Sequence, residues 1–105
     1  MNKQKALGYL SLAAKAGKLA SGEFQTEEAV KKRRARVIVI AEDASENTKK
    51  KFRTMGEAWD ISCVSISDRE EIGRITGKGF RAVCALQDEN LAKAFLKAVN
   101  DEKEE

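Results

Sequence analysis

Val37-Ile38-Val39-Ile40 is a run of four β-branched residues, extended by Ala41, with no polar residue inside it. A strand that shows one face to water alternates apolar and polar side chains. An unbroken apolar run suits a strand buried on both faces. β-Branched side chains also favour extended backbone. Such a strand needs a covering layer on each side, and helical patterns flank it in both directions. The chain therefore predicts an α/β fold with this strand central in a sheet sandwiched between helices. Basic sequence, Lys31-Lys32-Arg33-Arg34 and Arg36, enters the strand, and Glu42-Asp43-Ala44-Ser45 leaves it. Function is expected in the loops at its ends.

The remaining pattern fills in the layers. Residues 3–16 place Leu7, Leu10 and Ala14 at helical spacing, with Gly17 as the stop. Lys18-Leu19-Ala20-Ser21 reads as a short edge strand. Residues 24–33 read as a helix with a thin apolar stripe of Phe24, Ala29 and Val30, supported by Glu27/Lys31 and Glu28/Lys32 at i,i+4. Beyond Ser45, a third helix carries Thr48, Phe52, Met55 and Trp59 on one face. Residues 61–66 form a strand. Ser67 and Glu70, in capping-box register, open a short helix with Ile72 and Ile75 inward. Residues 80–86 form a further strand, interrupted by Arg81. A last helix, capped by Asp88 or Asn90, turns Leu91, Ala94, Phe95 and Ala98 inward. The expectation is a three-layer α-β-α sandwich with a mixed sheet of about four strands. Residues 1–100 make one domain, and residues 101–105 a short acidic tail.

Charge narrows the partner. The net charge is +3, and the last five residues hold four acids and one base, so residues 1–100 carry +6. A basic body suits a polyanion better than a neutral metabolite. No apolar stretch has membrane-spanning length, and no signal-peptide pattern opens the chain. Cys63 and Cys84 lie in apolar stretches outside any CxxC, and the chain has no histidine. They read as buried thiols of a cytoplasmic protein, with no metal site and no cofactor.

Three stretches invite a chemical reading. Gly73-Arg74-Ile75-Thr76-Gly77-Lys78-Gly79 has three residues between its first two glycines where a P-loop needs four, and Gly79 stands where that loop needs Ser or Thr. Glu42-Asp43, after the central strand, stands where α/β sheets bind ligands. It offers an alternative reading as a metal- or ligand-sensing or protein-interaction pocket. Against that stands the commoner role of acids at a helix N-terminus, with Asp43 or Ser45 as the cap. The segment 31–36 places five cations in six residues, and Glu27 and Glu28 answer only two of them. Phosphate contact accounts for the excess. Gly22-Glu23, the helix that follows, and the loop 77–80 are expected to converge at one end of the sheet. No catalytic residues emerge.

Ser21-Gly22-Glu23, the stretch Ala35 to Lys50, Ile72-Gly73 with Gly77-Lys78, and Val83-Cys84-Ala85-Leu86 with Asp88 together carry a resemblance. In order and spacing, from Leu10 to Leu96, the chain resembles the L-seven-Ae family of kink-turn RNA-binding ribosomal proteins, in its small bacterial YlxQ-like branch. The resemblance implies a non-enzymatic, monomeric RNA binder of ribosomal-protein type, with kink-turn RNA, including ribosomal RNA, as the partner class. Family members read exposed purine edges of sheared G·A pairs through an Asn-Glu pair at the start of the second helix, supported by a lysine one turn later. Glu23 matches the glutamate, and Gly22 stands where asparagine is usual. The lysine position falls on Thr26 counted forward from Glu23, or on Glu28 counted back from the central strand. Lys31 or Lys32 is then expected to take over. Arg69 matches a basic position beside the RNA. Lys78, Gly79 and Phe80 occupy the specificity loop, with Phe80 set to stack on a base.

Overall fold

A computed structural model describes residues 1–101. The elements run α1 (Lys3–Lys15), β1 (Leu19–Ser21), α2 (Glu23–Lys31), β2 (Val37–Ile40), α3 (Glu46–Trp59), β3 (Ser62–Ser65), α4 (Arg69–Ile75), β4 (Val83–Leu86) and α5 (Glu89–Val99). The sheet order is β1-β4-β2-β3. β4 runs antiparallel to both β1 and β2, and β2 pairs parallel with β3, so the sheet is mixed. α1 packs on α5 and α4, α2 packs on β1 and β4, and α3 packs on β2 and β3.

Every residue of β2 and of β4 is buried, as their unbroken apolar runs require of inner strands. Edge strand β3 is partly wet along its length. Phe52 of α3, Phe95 of α5, Leu10 of α1 and Ile72 of α4 are fully buried against the sheet from their helices. Side-chain caps start four helices: Asn2 accepts from the Lys5 N–H, Ser45 from Thr48, Asp68 from Glu71 and Asp88 from Leu91. Among the described residues, no helix is long and apolar enough to cross a membrane.

Four details differ from the sequence reading. Asp68, not Ser67, caps α4. Ser67 takes a left-handed conformation at φ 63°, its carbonyl accepts from the Glu42 N–H, and its hydroxyl donates to Glu71. The last strand begins at Val83, leaving Phe80 and Arg81 in the preceding loop. Phe24 and Trp59, expected on buried stripes, are 72% and 39% exposed. The face of α2 that is buried consists of Thr26, Ala29 and Val30. Of the acidic tail, the residues beyond Asp101 lie outside the described residues.

Cys84 is fully buried, and that burial pushes its thiol up to about 12. Cys63 is half-buried and raised for the same reason, and its Sγ–H donates to the Phe52 carbonyl. Neither sits in the electropositive, accessible setting of a reactive thiol.

Candidate nucleic-acid interface

β1 runs parallel to β2, and β4 runs against it. The end of β1, the start of β4 and the end of β3 therefore meet at the C-terminal end of β2. The register sets Ser21 opposite Cys84, Val83 opposite Ile40, and Ile40 beside Ser65. α2 begins there, and so does α4. An open recess of about 490 Å³ lies at this end, lined by Ser21, Gly22, Glu23, Phe24, Arg69 and Phe80, with Arg81 beside them.

Gly22 is the N-cap of α2, at φ 94° and ψ 167°. This is a region open essentially to glycine alone. Its N–H donates to the Val83 carbonyl at 2.9 Å, tying α2 to β4. An added Cβ would make only ordinary contact with the Arg81 side chain, at 3.5 Å from Nε, so the constraint is the backbone and not space. The absence of asparagine here is therefore built into the turn. Restoring it as Gly22→Asn is expected to cost about 1–3 kcal/mol of stability. A thermal melt matching the parent would show that the turn tolerates a side chain.

With glycine at the cap, α2 has no side-chain cap, and its first-turn N–H groups stay open toward the recess. Glu23 follows at the first helical position. Its Oε2 accepts from Thr48 Oγ1 at 3.1 Å, and Thr48 Oγ1 in turn accepts from Ser45 Oγ at 3.0 Å. Lys51 Nζ stands 4.0 Å from Glu23 Oε1 and 3.0 Å from Glu27 Oε1. The carboxylate is thus oriented from α3, by a hydroxyl chain and a cation.

The opposite wall comes from α4 and its following loop. Asp43 Oδ1 accepts from the Arg69 N–H at 2.9 Å, and Asp43 Oδ2 lies 3.4 Å from Arg69 Nε. These contacts, led by the backbone hydrogen bond, hold the Asp43 carboxyl below its ordinary range. Asp43 is therefore engaged in positioning Arg69. Among the described residues, no group of three or more acids or cysteines is arranged to hold a metal ion. Arg81 donates its N–H to the Arg69 carbonyl at 3.0 Å, and its Nη1 to the Phe80 carbonyl at 3.0 Å. Phe80 itself is 67% exposed. Two buried polar atoms at the recess, Ser21 Oγ and Arg81 Nε, have no protein partner.

Of the residues singled out from sequence, Gly22, Glu23, Arg69 and Phe80 come together. Lys78 and Gly79 belong to the loop that carries Phe80 but do not line the recess. Lys31 and Lys32 do not converge on it. They lie at the other end of α2, about 12 Å further along at 1.5 Å per residue. They pair with Glu27 at 3.0 Å and Glu28 at 3.8 Å. The cation beside Glu23 is Lys51 instead. Of the two counts for the family lysine, Thr26 is fully buried with its Oγ1 unpartnered, and Glu28 faces Lys32.

Sequence reasoning missed Phe24, Thr48, Lys51 and Arg81. For Phe24 a signal existed, since its i+3 and i+4 neighbours are Glu27 and Glu28, so it shares no apolar face. For Thr48 and Lys51, on a different helix, no local signal exists.

The comparisons with known proteins agree with this frame. Residues 4–96 match the model of the Ribosomal protein L7Ae/L30e/S12e/Gadd45 family. The chain is 37% identical over 92 residues to the RNA-binding protein YlxQ of Enterococcus faecium, covering 88% of each. It is 32% identical over 87 residues to the RNA-binding protein YlxQ of Bacillus subtilis, covering 83% of this chain and 87% of that one. A Bacillus halodurans protein of unknown function superposes with a TM-score of 0.87 at 29% identity, over 92% of this chain and 98% of that one. The Giardia lamblia 15.5kD RNA binding protein shares the fold, with a TM-score of 0.76 at 17% identity, over 91% and 82%. The chain belongs to the L7Ae/L30e/S12e/Gadd45 family of ribosomal proteins, in its bacterial YlxQ-like branch.

Proposed function

We propose that this protein is a non-enzymatic RNA-binding protein that recognises kink-turn RNA with residues 1–100 acting as one monomeric domain. The observation that carries this reading is the meeting of Gly22, Glu23 and Phe24 with Arg69, Phe80 and Arg81 around one recess. The chemistry of a sharply bent RNA matches each part. The Glu23 carboxylate accepts hydrogen bonds from purine N–H groups on the Watson–Crick edge, which a regular duplex keeps paired and a distorted one exposes. Phe24 and Phe80, both largely exposed, offer faces for splayed bases. The open N–H groups of α2, with Arg69 and Arg81, suit backbone phosphate. Lys51 supplies the support that family members draw from a lysine on the second helix.

The test is a titration of one kink-turn RNA against a twin whose G·A pairs are disrupted, at two salt concentrations. Base-edge readout predicts a preference for the intact motif that survives the higher salt. Glu23→Ala is expected to cut that preference by about ten- to a hundredfold, the equivalent of one good base contact, while leaving plain-duplex affinity nearly unchanged. Equal binding of the twins, fading together as salt rises, would leave phosphate attraction alone and sink kink-turn readout.

A further inference from the structure

The basic stretch that stood out in the sequence is not absorbed by the recess. Val37 pairs with Leu86 and Ser62, so the chain entering β2 lies at the opposite end of the sheet from Ser21, Val83 and Ile40. Lys31 and Lys32 are answered by Glu27 and Glu28. Arg33, Arg34 and Arg36 are exposed, and among the described residues no carboxylate pairs with any of them.

These arginines sit on a fixed frame. Arg33 N–H donates to the Val30 carbonyl at 3.0 Å, Arg34 to Ala29 at 2.8 Å, and Arg36 to Leu86 at 2.7 Å, while Ala35 between them is buried. Arg33 takes the left-handed conformation at φ 59°, and its guanidinium lies 5.3 Å from the centre of the Trp59 ring. Trp59, the last residue of α3, is brought to this end because β3 starts just after it. Glu57 and Asp60 are at the same end and line a neighbouring cleft with Arg53. They leave the three arginines unneutralised.

These guanidiniums have no carboxylate partner among the described residues, and one of them, Arg33, is set against the partly exposed Trp59 indole. Together they make up the two parts of a single-strand platform, cations for phosphate and a flat ring for a base. We infer that Arg33, Arg34, Arg36 and Trp59 form a second RNA-contacting surface, separate from the recess, which takes the backbone and one unstacked base of a single-stranded segment. An acidic peptide would satisfy the arginines but has no use for the indole, so RNA is the favoured partner. The inference does not need kink-turn readout to be correct.

Trp59 is the only tryptophan, so its emission reports directly on this surface. The probe is an oligouridine of about a dozen nucleotides, within the reach of single-strand sites. Added to the full chain at low salt, it is expected to quench Trp59. The Arg34→Ala/Arg36→Ala variant, altered only at exposed positions, should keep its melting temperature and lose the quench, with a dissociation constant by anisotropy at least about fivefold weaker. Trp59→Phe should weaken binding in the same direction. Glu23→Ala and Phe80→Ala should leave the quench intact. Unchanged emission at saturating oligouridine would overturn the inference. So would a quench that follows the Glu23 and Phe80 variants, or one that oligoglutamate reproduces equally well. A lost kink-turn preference with the quench retained would overturn the proposed function alone.

Discussion

Phe52→Ala is expected to destabilise the protein by about 3–5 kcal/mol, the usual cost of truncating a fully buried phenylalanine. Phe52 has no exposed surface, and it pins α3 to the sheet beside Cys63, whose Sγ–H donates to the Phe52 carbonyl. The ring lost from this site leaves a void that flanking β2 and β3 cannot close without breaking their pairing. For a chain of this length the melting temperature should fall by more than about 10 °C. The consequence reaches the recess, because the same helix supplies Thr48 and Lys51 to Glu23. Phe24→Ala is the informative contrast. Phe24 is exposed, so stability should stay within about 0.5 kcal/mol of the parent while RNA binding weakens. A Phe52→Ala loss below about 1 kcal/mol by denaturant titration would mean that α3 is not held as described.

Gly73→Ala is expected to damage stability and RNA readout together. A Cβ at Gly73 would stand 1.9 Å from the Gly79 carbonyl oxygen and 3.1 Å from the Phe80 N. These are backbone atoms, so no side chain can swing aside, and either α4 or the loop must move. The loop is also clasped to α4 at both ends, by Lys78 N–H to the Gly73 carbonyl at 2.8 Å and Arg81 N–H to the Arg69 carbonyl at 3.0 Å. Overpacking of this kind costs about 1–3 kcal/mol. Because the displaced segment carries Phe80, the preference for intact kink-turn RNA over its disrupted twin should fall as well. A variant with parental melting temperature and parental discrimination would refute the close packing of loop on helix. Gly73, the first glycine of a stretch that only superficially resembles a P-loop, is thus explained by contact and not by phosphate chemistry.

The unbroken Val37–Ile40 run is enough to place β2 in the middle of the sheet, since four apolar β-branched residues in succession leave no wet face. The helix starts were legible to within a pair of candidate caps, Asp43 or Ser45 for α3 and Asp88 or Asn90 for α5, of which the structure uses Ser45 and Asp88. Glu23 and Arg69, marked by the family resemblance, come together at the recess. What failed were inferences that crossed elements. Phe24 and Trp59 are apolar, and composition alone puts them inside, but burial depends on which face the neighbouring helices cover. The basic stretch looked like part of the same site as Gly22 because the helix read from sequence, residues 24–33, joins the two, whereas α2 ends at Lys31 and the arginines follow it.

The sequence by itself determined the layered fold and its central strand, because these follow from side-chain size, branching and periodicity along the chain. The Gly22-Glu23 start of α2 was marked only by the family resemblance. Only the tertiary structure decided that Lys51 stands beside Glu23, that Asp43 holds Arg69, and that Arg33–Arg36 lies at the far end of the sheet. The physical reason is strand direction and pairing order. They set which ends meet in space, and no local preference of the chain encodes that choice.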